Sequence, residues 1–398
     1  MALATDLSRI AFPYLLFISL VSLQSGVLNA LGKFAAAAFA PVLLNLTLIA
    51  AMLGFADVGP TTGHALAWGV FVAGVVQWIW LVYHCRRAGL PVTFVRPRLT
   101  EKVRLLGKRI LPVVFGASLY QINLVIGTIL ASFISDGAVS YLYYGDRVVQ
   151  LPLGVVGVAV GTALLPMLSR QLSSGQIDAA NHSQNRGLEF ALLLTLPATV
   201  ALVVIAEPII AVLFERGAFS AIDTQATSAA LAAFATGLPA YVLVKVLAPG
   251  FFAREDTKTP VKIAAVAMLA NIILNLVLMQ YFAHVGIALG ASLASWLNAV
   301  LLGTVLYRRG FMVLDARFLR RAPRIIVASA LMGVALWGAH VGLTDWLGGT
   351  FVLQATALAM LVGVGFVVFG LACQITGAAR ISDLKSFVKR DTPLTPGA

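Results

Sequence analysis

Apolar residues fall in eleven long runs separated by polar gaps, roughly 10–30, 36–56, 64–84, 110–134, 140–166, 187–206, 225–252, 261–282, 287–306, 325–343 and 351–373. Each run is near or above the ~20 residues that a helix needs to cross ~30 Å of hydrocarbon. The pattern predicts an all-α fold, a polytopic bundle of about eleven transmembrane helices. The gaps between runs differ in charge. Of the 28 basic residues, all but Arg9, Arg216, Arg147 and Lys245 fall in alternate gaps or in the C-terminal tail. Arg9 and Arg216 lie on the opposite side, while Arg147 and Lys245 lie inside apolar runs. Lys and Arg are retained on the cytoplasmic side of a bilayer. The alternation therefore predicts an N-terminus outside and a C-terminus inside.

Composition sharpens this. With 60% hydrophobic and 11% charged residues, a soluble domain of this size is excluded. The net charge of +12 raises nucleic acid as a partner. The placement of the charge answers it: these are loop anchors beside anionic lipid, so the expected surroundings are a phospholipid bilayer and no nucleic acid. The two cysteines, Cys85 and Cys373, sit at expected cytoplasmic helix ends and define no disulfide framework and no metal site. The first run is too long for a signal-peptide core and has no cleavage-like boundary. An outside N-terminus without a signal, together with an odd helix count, suggests a missing beginning.

The longest cytoplasmic gap, 85–109, is basic, carries two prolines and reads as a connector between two bundles. A second basic gap, 307–324, sets the final pair of runs apart. Prolines interrupt many runs (Pro13, Pro41, Pro112, Pro152, Pro166, Pro197, Pro239 and Pro249). Each removes a helix hydrogen bond and kinks the helix, which membrane helices tolerate where neighbours or water satisfy the freed carbonyl. Gly157 and Gly161 form a GxxxG pair, read here as a close helix contact.

Arg147 is the sharpest candidate for chemistry. It stands about seven residues into its run, about 10 Å deep at 1.5 Å per residue. An arginine at a helix centre costs at least ~2.5–3.5 kcal/mol on insertion scales, so it requires a cavity or a partner. Two readings stand: a guanidinium fork that binds a phosphate-like anion, or a buried ion pair with a carboxylate on another helix. Asp146 is adjacent, but neighbouring helix residues point about 100° apart. Lys245 lies close enough to the cytoplasmic end of its run to snorkel. Asn271 and Asn275, one turn apart, suit interhelical hydrogen bonds or a ligand, and Gln121 and Asn123 read the same way.

Enzyme signatures are missing from the sequence. The histidines, His64, His84, His182, His284 and His340, make no HExxH or other metal spacing. No GxxxxGK[ST] loop occurs, and no serine or cysteine stands in a nucleophile motif. The expected class is a membrane transporter, with no cofactor and no metal site.

The segments SYLYYGDRVVQLPLGVVGVAVGTALLP at 140–166 and LVKVLAPGFFAREDTKTPVKIA at 243–264 resemble the MurJ (MviN) lipid II flippases of the MOP exporter superfamily. FPYLLFISL at 12–20, FAPVLLNLTLI at 39–49 and PVVFGASLYQINLVIGTILASF at 112–133 fit the same family in order and spacing. The resemblance covers essentially the whole chain. It implies a MOP-type two-lobe flippase of fourteen helices, of which this chain matches the last eleven. Residues 1–84 would be the remnant of the N-terminal lobe, with 85–109 the connector. The C-terminal lobe would be 110–306, followed by the loop 307–324, the extra helix pair 325–373 and the cytoplasmic tail 374–398.

The implied activity is translocation of lipid II, the undecaprenyl-diphosphate-linked peptidoglycan precursor, across the bacterial inner membrane by alternating access around a basic cavity. Cell-wall synthesis proteins are implied as further partners. Arg147 matches a cavity arginine of the family, Asp146 its usual neighbour and Lys245 a basic position on the tenth family helix. Gln150 stands where some members have glutamate. Gln150, Asn271 and Asn275 complete the candidate substrate set. Family arginines on the first two helices have no counterpart here. The helices that carry sodium-binding acids in some members hold none here, which argues against sodium coupling. Two alternatives remain: export of other lipid-linked sugars or drugs, or an inactive or partner-dependent membrane fragment.

Overall fold

The computed structural model describes residues 2–31, 33–55, 60–90, 101, 104, 107, 121 and 123–378, apart from the side chains of 2, 155–156 and 158–163. Most of the connector, residues 110–120 and 122 of the run 110–134, and the tail from 379 lie outside the described residues. Everything regular among the described residues is helical. The chain divides into two compact units, Met1–Arg104 and Leu105–Ala398.

The first unit contains α1 (Ala2–Ala11), α2 (Tyr14–Ala30), α3 (Phe34–Phe55) and α4 (Thr62–Arg87). Pro13 separates α1 from α2, whereas Pro41 is accommodated inside α3. Polar side chains tie these helices together. Buried Gln77 of α4 donates to the Ala40 carbonyl at 2.8 Å and is met by the Tyr14 hydroxyl at 3.4 Å. Trp80 donates to the Ala36 carbonyl at 3.1 Å.

The second unit begins with the short helix α5 (Asn123–Ser132) and the long α6 (Ala138–Ser173). Then come α7 (Ile177–Val204), α8 (Ala206–Phe214), α9 (Ala221–Ala235), α10 (Leu238–Phe252) and α11 (Lys258–Arg308). It ends with α12 (Ala316–Gly342), α13 (Thr344–Leu347) and α14 (Phe351–Thr376). Eight stretches of described helix are long and apolar enough to span a bilayer.

The bundle is apolar outside and partly polar inside. Leu53, Phe133, Phe366 and Ile375 are each more than 75% exposed, while Gln24, Gln184, Asn185, Thr227 and Ser329 are buried. Water would penalise that arrangement, but a lipid tail is as apolar as leucine, so polar groups and small residues glue membrane helices instead.

One run differs from its predicted form. The run 225–252 is two helices, α9 and α10, parted at Thr236–Gly237. A Cβ on Gly237 would lie 2.8 Å from the Ser292 Cα, so only glycine admits α11 at this depth. Ser292 donates to the Ala233 carbonyl at 2.8 Å and Trp296 to the Thr236 carbonyl at 2.9 Å, satisfying groups freed at the break. The runs 261–282 and 287–306 are joined in α11 across a reversal at Ala283, which has φ 49° and ψ −131°. Beyond it, a Cβ on Gly286 would collide with the Leu278 carbonyl and one on Gly290 with Asn275, so the two arms pack antiparallel at backbone contact.

Polar ties sort by side. Arg186 pairs with Glu189 and Asp315, and Arg321 pairs with Glu189. Arg309 pairs with Asp256 at 2.7 Å, and Arg254 donates to the Phe311 carbonyl at 2.9 Å. All of these join arginine-rich gaps to one another. Tyr141 donates to Asp223 at 2.8 Å, His284 meets the Ala226 carbonyl at 2.9 Å, and Arg216 stacks on Phe351 at 5.1 Å. These join the arginine-poor gaps.

Glu189 expresses the same logic within one residue. It is 7% exposed and gathers Arg186, Arg317 and Arg321. A carboxylate so buried needs such compensation. Asp315 caps α12 by accepting from the Phe318 N–H. Burial opposes its charge, yet that N–H and Arg186 hold its carboxyl below the usual range.

Candidate functional site

The candidate site is built on α6 and α10 of the second unit. Helix α6 runs unbroken past Pro152 and Pro166. Positions 143, 146, 147, 150, 154 and 157 follow three- and four-residue steps, so they form one stripe along its face. Arg147 lies nine residues from the start of α6, about 14 Å along its axis. Its side chain is exposed.

Asp146 and Arg147 do not pair directly. Gln150, three residues beyond Arg147 and four beyond Asp146, connects them. Arg147 donates to the Gln150 carbonyl oxygen at 3.2 Å, and the Gln150 amide donates to the Asp146 carboxylate. The guanidinium also lies 4.7 Å from the centroid of the exposed Tyr143 ring. One helix thus orients the arginine. No carboxylate among the described residues stands within 4 Å of it, although Asp146 lies close enough to interact with its charge. Four of its five N–H donors remain for a ligand.

Lys245 projects from α10 onto α6. A Cβ on Gly157 would lie 2.6 Å from its Nζ, 3.1 Å from its Cδ and 3.3 Å from its Cε. Gly157 makes room for a lysine side chain of the neighbouring helix. The amine lies against the middle of α6. It is exposed and has no hydrogen-bond acceptor or carboxylate partner among the described residues. Around Gly154, one turn nearer Arg147, there is open space. The arrangement offers two cationic groups along one wall, a fork and a point charge, with Gly154 between them. Such a wall suits an anionic head group, with the fork placed to grip a phosphoryl oxygen pair.

Asn271 and Asn275 belong elsewhere. Both are buried, 4% and 2% exposed, at the reversal of α11. They contact each other at 3.1 Å, and with its amide turned, Asn275 donates to the Ile287 carbonyl of the opposite arm at 3.3 Å. They hold two helix segments together. Gln121 is exposed, and the side-chain oxygen of Asn123 is buried without a partner among the described residues. Groups of metal-ligating side chains are absent among the described residues.

Eight helices among the described residues, long and apolar enough to cross a bilayer, mark the chain as a multi-pass membrane protein. The sequence profile described as "Lipid II flippase MurJ" matches residues 1–357, and the chain belongs to that family. A "Probable lipid II flippase MurJ" of Rhizobium tropici is 42% identical over 400 residues, covering 98% of this chain and 74% of the relative. The solved structure "Lipid II flippase MurJ, inward closed conformation" is similar with a TM-score of 0.78 and 26% identity, covering 96% of this chain and 76% of that one. An inward-facing multidrug resistance MATE transporter of the MOP superfamily shares the fold, with a TM-score of 0.66 and 16% identity over 78% of this chain and 72% of that one.

Proposed function

We propose that the protein moves lipid II, the undecaprenyl-diphosphate-linked peptidoglycan precursor, across the bacterial inner membrane by alternating access, and that it does so as a transporter without catalytic chemistry. Family membership supports the activity. The observation that carries it to particular residues is the exposed guanidinium of Arg147, oriented by Gln150 and Tyr143. On this reading Arg147 receives the diphosphate, Gln150 and Tyr143 hold its fork in position, and Asp146 anchors Gln150. Lys245, about 15 Å further along α6 at Gly157, adds a second positive charge to the same wall. The polyprenyl tail remains in lipid.

We assign the arginine-rich side, and with it the C-terminal tail, to the cytoplasm, because Lys and Arg are retained there. The domain assignment follows the same reading: 1–84 as N-terminal lobe, 85–109 as connector, 110–306 as C-terminal lobe and 325–373 as an additional helix pair. Cell-wall synthesis proteins are proposed as further partners.

Binding of lipid II to the purified chain tests the role of Arg147. A charge-assisted hydrogen bond is worth about 1.5–3 kcal/mol, or roughly 10- to 150-fold in affinity. Arg147→Ala is expected to weaken binding within that range, and Arg147→Lys to lose less. Unchanged affinity in Arg147→Ala would remove the residue from the site.

A further inference from the structure

We propose that the arginine-poor side of the second unit carries a saccharide-binding cleft at the mouth of α6, about two helical turns beyond Arg147. The cleft is an open depression of about 430 Å³ lined by Ser140, Tyr141, Tyr144, Phe214, Phe219 and Asp223. Its floor is aromatic. Tyr144 lies 4.8 Å from Phe214 and 5.6 Å from Phe219 between ring centroids, and the two phenylalanines are 6.2 Å apart. Rings braced in this way keep their faces fixed.

The rim is polar and equally fixed. Tyr141 donates to Asp223 at 2.8 Å, and the Ser220 N–H donates to the same carboxylate at 2.7 Å. Arg216 donates to the Val212 carbonyl at 2.7 Å while stacking on Phe351. The Ser140 hydroxyl lines the cleft from α6 and is exposed.

These features select one ligand chemistry. One carboxylate and one guanidinium leave the cleft without net charge, so neither an anion nor a cation is favoured. A flat apolar face beside fixed donors and acceptors matches a neutral pyranose, whose C–H face rests on aromatic rings while its hydroxyls reach the rim. An interfacial aromatic belt accounts for rings beside lipid. It does not account for the Tyr141–Asp223 pair that lines the same cleft, its carboxylate fixed by the capping box of α9. Position adds a further argument. Ser140 and Arg147 are seven residues apart, so they share a face of α6 and are separated by about 10 Å. For its natural ligand the inference rests on the function proposed above: a head group held by its diphosphate at Arg147 would extend its sugars to the cleft.

The test uses the full chain in lipid nanodiscs with two separate probes, the neutral disaccharide chitobiose and inorganic pyrophosphate, read by saturation-transfer NMR and calorimetry. Chitobiose is expected to bind saturably. Tyr144→Leu should weaken it by roughly threefold to tenfold. Tyr141→Phe, which keeps the ring and its packing, should weaken it severalfold. Arg147→Ala should leave chitobiose binding intact and weaken pyrophosphate. Absent chitobiose binding, or binding indifferent to both tyrosine variants, overturns the cleft. Loss of chitobiose binding in Arg147→Ala also overturns it, because the sugar would then sit at the arginine. Chitobiose binding as expected with pyrophosphate indifferent to Arg147→Ala supports the cleft and rejects the reading of Arg147.

Discussion

Two residues sit where isolated side chains and backbones avoid going, Arg147 inside a long apolar helix and Ala283 at φ 49°. A guanidinium at mid-span costs at least ~2.5–3.5 kcal/mol, and only Gln150, Asp146 and Tyr143 offset that locally. Ala283 occupies backbone space that suits glycine, at a cost on the order of 1–3 kcal/mol. The reversal of α11 explains why the strain persists, since both arms are already committed to contact through Gly286 and Gly290. Ala283→Gly is therefore expected to raise thermal stability slightly or leave it unchanged. Gly286→Ala should lower it strongly, because its Cβ would meet backbone that cannot yield. Thermal unfolding of both variants in one detergent checks the pair, and equal effects would contradict this account of the reversal.

At the scale of elements, the turn from α10 to α11 carries a titration with a definite sign. Asp256 accepts from the Thr259 hydroxyl at 2.6 Å and the Thr259 N–H at 3.0 Å, and pairs with Arg309. These bonds, Thr259 first, pull its carboxyl down to about 2. A depressed carboxylate contributes stability that is complete above its unfolded pKa, near 4, and is lost as pH falls through the folded value. Asp256→Asn should accordingly lower the unfolding temperature at pH 6, and the difference from wild type should shrink from about pH 4 down to pH 2. A difference independent of pH would show that the charge contributes nothing.

The helices themselves were legible because hydropathy responds to length and composition. The break at Thr236–Gly237 was not, because it exists only against Ser292 on α11, which a single-segment pattern does not register. The site divides in the same way. Arg147 was visible as a charge within an apolar run, and the Gln150 bridge follows from helical spacing. The seat of Lys245 over Gly157 required knowing which helices are neighbours. Asn271 and Asn275 looked like candidate ligands because an amide's type does not reveal whether it faces a ligand or another helix.

Across the second unit, charge and contact agree on two sides, since the ion pairs and the other ties between gaps join gaps of the same charge class. This predicts opposite accessibility for two exposed positions, Ile222 beside Arg216 and Arg320 at the start of α12. In a chain with Cys85 and Cys373 replaced by alanine, a cysteine at 222 should react with an impermeant thiol reagent on intact spheroplasts. A cysteine at 320 should react only after lysis. Labelling of both from outside would contradict the topology.

The most direct measurement of the central claim is lipid II translocation by the purified chain in proteoliposomes, comparing wild type with Arg147→Ala. The account predicts transfer by wild type and a loss of at least tenfold in the variant with normal insertion. Transfer at equal rates by the two proteins would contradict it.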